Sequence, residues 1–206
     1  MTDDFNVTTE TSAFATVFTS IIAAVAGILI FTSEAQHGTL APTLTAQPTR
    51  WVIAVSKMQV AALFGAALGL AGMTAGFVGA LLGGLPLGSA ATVLETALWA
   101  TLYTSLAAVL GLGVGIITRH SSAAITGLLI WALVIESLLY TFLSSEYSRF
   151  LPFLAGDKML AIEDFVEPAE SGLAVLSRGQ GALVFAAYAA LAMVVGTVLL
   201  NRRDTN

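Results

Sequence analysis

Long apolar runs separated by short polar breaks dominate the chain. The runs cover residues 13–32, 51–82, 90–117, 123–143 and 182–200. The second stops at Gly83-Gly84-Leu85-Pro86, a Gly/Pro cluster of the kind that ends helices, and Arg119-His120 makes a tight turn between the third and fourth. The last stops at Asn201-Arg202-Arg203-Asp204. A helix crosses the hydrocarbon core of a bilayer with about 20 apolar residues, because each adds about 1.5 Å. Every run is of that order, and the 51–82 run is long enough to tilt or kink. Lipid offers no hydrogen bonds to a bare backbone, so each span must be helical. The pattern predicts an all-α, polytopic transmembrane bundle with five spans, forming a single domain over residues 1–206.

Composition agrees with this reading. Of 206 residues, 57% are hydrophobic and only 10% are charged, and the mean hydropathy is +0.88. A soluble domain carries about 25% charged residues, so these charges are too few to cover a water-facing surface. The N-terminal MTDDFNVTTE has no Lys or Arg. It lacks the positive region of a signal peptide, and the first run is expected to stay as an anchor.

Basic residues set the expected orientation. Arg50, Lys57, Arg119, Arg202 and Arg203 fall on one side of the bundle; Arg149, Lys158 and Arg178 fall on the other, along a longer connection. The positive-inside rule makes the denser set cytoplasmic. The N-terminus is then outside and the C-terminus inside. The loop at 33–50 becomes cytoplasmic and the connection at 144–180 extracytoplasmic. That connection holds Glu146, Asp157, Glu163, Asp164, Glu167 and Glu170, which read as a solvated acidic face. Its segments Leu151-Pro152-Phe153-Leu154 and Met159-Leu160-Ala161-Ile162 suit short amphipathic helices dipping into the interface.

Several chemistries are excluded. There is no cysteine, hence no disulfide, thiol nucleophile or thiolate metal site. Neither Lys57 nor Lys158 follows a glycine, so there is no Walker phosphate loop. Gly111-Leu112-Gly113-Val114-Gly115 lies inside an apolar span and reads as helix packing rather than a dinucleotide loop. No HExxH pattern is present, and His37 and His120 stand at span borders. No cofactor, metal site or catalytic residue is expected. Small residues recur at Gly65/Gly69, Gly72/Gly76 and Gly79/Gly83, the spacing that lets helix backbones approach in lipid. They suit packing within the subunit, or a dimer face for one of them.

Two acids lie at membrane depth, Glu95 near the start of the third span and Glu136 near the end of the fourth. Ionisable groups there are costly and normally face a bundle interior or a wet cavity. One reading makes them the lining of a substrate path or a proton site, and then Glu136→Gln impairs transport without lowering the amount of folded protein. The other makes them helix-locking hydrogen-bond partners, to Tyr103 or Ser137 for example.

The polar segment from Ser33 to Lys57 carries the most specific pattern. Phe31-Thr32-Ser33-Glu34, then His37-Gly38-Thr39-Leu40, then Pro48-Thr49-Arg50 and Lys57 resemble the membrane subunits of type-2 ABC exporters. Those subunits show a Glu, a Gly-Thr pair, a Pro-x-Arg and an aligned Lys between their second and third spans. The glycine-rich span ending at Arg119, Glu136 ahead of a loop containing Leu151-Pro152, and the final span closing on Arg203-Asp204 extend the resemblance over about residues 13–204.

The resemblance implies a permease subunit with no ATPase site of its own. It would pair with a second permease copy or a homologous permease, dock on a soluble ABC ATPase, and sit multi-pass in the cell membrane with no nucleic-acid partner. It also implies that Glu34, His37, Gly38, Thr39, Pro48, Arg50 and Lys57 form the ATPase-coupling loop, with Thr39 capping a short helix and Pro48 opening the next. Family members typically have six spans, so the first is expected to be missing here. A non-transporting scaffold, and a proton- or sodium-coupled secondary transporter using Glu95 and Glu136, are the alternative functions.

Overall fold

A computed structural model describes residues 4–38, 49–85, 89–160 and 176–203. Among these residues the regular elements are all helical. In chain order they are α1 (Asp4–Gln36), α2 (Arg50–Leu82), α3 (Ala90–Thr118), α4 (Ser121–Ile130), a π turn (Trp131–Ile135), α5 (Glu136–Phe142), α6 (Ser145–Ser148), α7 (Pro152–Asp157), a 3-10 turn (Lys158–Leu160) and α8 (Arg178–Arg203). Five stretches are long and apolar enough to cross a membrane: Ala13–Gln36, Trp51–Leu82, Ala90–Thr118, Ser121–Phe142 and Arg178–Arg202. Hydroxyls inside them donate back to their own helix, as from Thr32 to the Ile28 carbonyl (2.9 Å) and from Thr197 to the Met193 carbonyl (2.7 Å). That local bond makes Ser and Thr affordable in lipid.

Helix α3 is the hub. It is 61% buried, against 39% or less for the other spans, and α1, α2 and α8 pack around it. Glycine makes the closest crossing. A Cβ on Gly27 would strike the Ala108 carbonyl, and one on Gly111 would strike the Ala24 carbonyl, so α1 and α3 touch backbone to backbone. In lipid this contact supplies the packing that water exclusion supplies elsewhere. Gly69 and Gly72 of α2 also face inward, against Thr104 and Thr19, whereas Gly79 faces open space. The large apolar side chains left exposed, such as Leu63, Leu98, Phe142 and Leu183, suit contact with acyl chains.

Two breaks in helix geometry shape the ends of the bundle. Arg119 ends α3 in the left-handed region (φ 57°), with its N–H bonded to the Gly115 carbonyl, and His120 then opens α4. A non-glycine residue there costs about 1 kcal/mol, offset by capping the helix end. Further on, the π turn inserts its extra residue just before Glu136; such bulges re-aim the side chains that follow.

After α5 the chain does not stay at the rim. α7 and the 3-10 turn fold back into the bundle, where Phe153, Ala155, Met159 and Leu160 are buried. Pro152 sits in the first turn of α7, where its missing N–H costs nothing. A Cβ on Gly156 would strike the Tyr103 ring, and one on Gly181 would strike the Ala155 carbonyl, so α7 lies directly on α3 and α8. Its apolar side chains are thus covered by protein; Ala161 and Ile162 of the second expected amphipathic segment lie outside the described residues.

Candidate functional site

Polar side chains collect at the two ends of the bundle. At the first end α1 continues past Thr32 through Ser33-Glu34-Ala35-Gln36. Glu34 and Lys57 meet there, with Nζ 2.6 Å from Oε1 and side chains 12% (Lys57) and 35% (Glu34) exposed. The ammonium also donates to the Ile30 carbonyl of α1 at 3.5 Å. Gln36 accepts a hydrogen bond from the Ser121 hydroxyl at 2.9 Å, which joins the end of α1 to the start of α4. The His37 N–H donates to the Ser33 carbonyl at 3.0 Å, and Gly38 leaves the helix with φ 73°. Arg50 begins α2. Thr39 and Pro48 lie outside the described residues, as do residues 39–48 between them.

Of the sequence-predicted loop residues, Glu34 and Lys57 are brought into direct contact, and His37 and Gly38 stand one turn beyond them. The arrangement has no nucleophile or bound-ligand geometry. It is a pinned polar platform that ties α1 to both α2 and α4.

The second end is built from acids. Glu136 is buried (2% exposed). Its Oε1 accepts from the Phe153 N–H (3.0 Å) and the Trp131 indole N–H (2.9 Å), and its Oε2 accepts from the Leu154 N–H (3.0 Å). The residue preceding α7, Leu151, has no capping side chain, so Glu136 satisfies the first N–H groups of that helix from across the bundle. Its partners are thus backbone donors and an indole; Ser137 instead donates to the Leu133 carbonyl.

At the other end of α7 the Tyr103 hydroxyl donates to Asp157 Oδ1 at 2.8 Å. Asp157 is buried, unlike the solvated acid expected from sequence, because Tyr103, itself fully buried, reaches it from α3. Burial pushes its carboxyl up from the usual value near 3.8 to about 7; the Tyr103 hydrogen bond and the Lys158 charge pull it down, and the charge of Glu136 pushes it up. Phe185 packs edge-on against both Tyr103 (5.3 Å between centroids) and Phe153 (5.8 Å) and closes the cluster. Glu95, the other predicted acid, stands apart. It is 60% exposed and takes a 2.7 Å ion pair from Arg178 at the start of α8.

The signal for Asp157 was present but faint: a proline-led apolar segment, Leu151-Pro152-Phe153-Leu154-Ala155-Gly156, running straight into it. Among the described residues no group of His, Asp and Glu side chains is placed to hold a metal ion.

Residues 1–144, of 206, match the family described as ABC-2 family transporter protein. The matched stretch contains the Glu34–Lys57 end, the glycine crossing and Glu136; α7 and Asp157 lie beyond it. No curated protein and no solved structure matches the chain.

Proposed function

This chain belongs to the ABC-2 family of transporter proteins, and we propose that it is the membrane-spanning permease subunit of an ABC exporter, moving substrate out across the cell membrane with ATP hydrolysed by a separate soluble ATPase. The reading takes Glu34, His37, Gly38, Thr39, Pro48, Arg50 and Lys57 as the ATPase-coupling surface. It takes a second permease, identical or homologous, as the other half of the pathway. In this orientation the N-terminus is outside, the C-terminus is cytoplasmic, and the Glu34 end faces the ATPase.

The observation that carries it is the mechanical arrangement at that end, within a chain of the family. One ion pair and one hydrogen bond bind α1 to α2 and α4 just where the coupling segment begins. A push from a docked ATPase therefore acts on three spans together rather than on a loose loop. Secondary transport through Glu95 and Glu136 gains no support, since the first is exposed and paired and the second is held by three donors.

The test is co-purification with a soluble Walker-loop ATPase, followed by export from inverted vesicles. Arg50→Glu and Glu34→Lys are each expected to release the ATPase and stop ATP-driven export while the permease still elutes as a folded protein. An ATPase that stays bound and active through both reversals overturns the coupling assignment. The lack of any ATP-dependent transport by the intact pair overturns the transporter reading.

A further inference from the structure

We propose that Asp157 is a proton-binding site, and that its proton holds the segment Pro152–Leu160 seated against α3 and α8. The argument rests on how that segment is held. Two acids among the described residues help fasten it. At its start Glu136 receives the Phe153 and Leu154 N–H groups, and so needs its negative charge. At its end Asp157 needs only to accept from the Tyr103 hydroxyl, which a neutral carboxylic acid still does, though less strongly than a carboxylate. Asp157 follows the Phe153 and Leu154 N–H groups that Glu136 holds by three to four residues of helix, about 5–6 Å of rise, in a site from which water is largely removed. Two negative charges there repel, and one proton removes the conflict without losing a hydrogen bond.

The surroundings favour Asp157 as the acid that takes it. From α3 it faces Tyr103, with Ser20 of α1 beside the phenol; from α5 it feels Glu136, and within its own segment Lys158. Helix α8 presents Gly181 and Phe185 to this cluster, and its nearby cation, Arg178, is engaged with Glu95. Lys158 and Tyr103 favour the anion, but burial outweighs them, and the seated carboxyl titrates at about 7. Released into water, the same carboxyl returns to about 4. Between these values the seated form holds a proton that the released form does not. Release therefore becomes more favourable by up to about tenfold per pH unit from pH 4 to 7 and levels off above. At low pH the segment is closed over the inner cluster; near neutrality it opens more readily.

The cysteine-free chain makes this directly measurable. Met159→Cys places a thiol at a buried position of the segment, and Tyr147→Cys places a reference thiol at an exposed one. Membrane-impermeant maleimide labelling of the full-length chain, in sealed vesicles of the orientation that exposes this end, gives the ratio of the two rates, which cancels the titration of the thiol itself. The ratio is expected to climb steeply between pH 5 and 7 and flatten above 7. With Asp157→Asn, which keeps the acceptor for Tyr103 but has no proton to lose, it is expected to be low and flat. With Tyr103→Phe, which removes the hydrogen bond that favours the anion, the plateau is expected at higher pH. A ratio that does not change between pH 5 and 8 in the Asp157 protein overturns the proposal, as does a pH dependence that survives Asp157→Asn. If Asp157→Asn fails to accumulate, the Asp157 titration and the Tyr103→Phe shift decide. None of these readings requires ATPase or transport activity, so failure here is distinguishable from failure of the exporter assignment.

Discussion

The two ends of this bundle solve the same electrostatic problem in opposite ways. At the Glu34 end an acid on α1 meets a base on α2, and the pair binds two spans that differ by 23 positions in sequence, from 34 to 57. At the Asp157 end Glu136 accepts from N–H donors and Asp157 from a phenol. At the first end each charge meets its opposite directly, a constant fastening. Asp157 is held by a neutral donor in a dry site, and on the proposal above its end responds to protons. On the readings proposed above this is a division of labour: one end passes on a push, the other changes its hold.

Removing the strongest fastening is the severest test of that contrast. Glu136→Ala leaves two backbone N–H groups and an indole N–H without their acceptor. Each orphaned buried donor costs about 1–3 kcal/mol, and partial access of water to the loosened segment lowers the sum to about 3–5 kcal/mol. Thermal melting in detergent is expected to show it, with hydrogen exchange rising first over residues 152–160. Glu136→Gln is expected to fall between Ala and the native acid, because one amide group presents a donor where an N–H needs an acceptor. Protein of native stability with lost transport, the behaviour of a path-lining acid, contradicts this assignment.

The next effect is a pH profile. The seated Asp157 carboxyl lies at about 7, above its ordinary value of 3.8, so the folded protein binds the extra proton between those limits. Its stabilising contribution is complete below about pH 4, declines as pH rises to 7 and changes no further above. A decline of about 2–4 kcal/mol is expected over that interval, and Asp157→Asn is expected to remove it. A melting temperature that rises through the same interval contradicts the sign.

How much of this contrast was legible in the sequence follows from where each group finds its partner. The span limits were readable because length and composition alone decide what fits the hydrocarbon: the predicted 51–82 run became Arg50–Leu82, broken at the expected glycines. The first span was read too short. Ser33 to Gln36 look like loop by polarity, yet they continue the helix because Glu34 gains Lys57 and Gln36 gains Ser121. Glu136 was conspicuous as an acid at membrane depth, but its partners were not, since backbone N–H groups have no letter in a sequence. Asp157 was misread for the converse reason: nothing local distinguishes a buried aspartate from a solvated one when its cover comes from Tyr103, 54 residues away.

The constant fastening gives a smaller effect. Glu34→Lys sets two cations side by side at a half-buried position and is expected to cost about 1–2 kcal/mol. Lys57→Glu is expected to behave alike, and the double exchange to recover most of the loss. Recovery in melting temperature together with ATP-driven export identifies the pair as the link. Recovery of stability alone assigns it to folding only. Unlike Asp157, none of the three variants is expected to alter the pH profile.

Arg178→Ala marks the lower bound. The Arg178–Glu95 pair spans 83 positions and is short, at 2.7 Å, which by distance alone ranks it with Glu34–Lys57. Exposure separates them, because Glu95 is 60% exposed against 12% for Lys57. Water already solvates most of Glu95 and part of Arg178, which is 26% exposed, so the loss is expected to stay within about 0.5 kcal/mol and to shrink further in high salt. A loss as large as that of Glu34→Lys would mean that this pair, too, is a structural fastening. The Asp157 end would then possess the opposite-charge clamp that the burial pattern denies it.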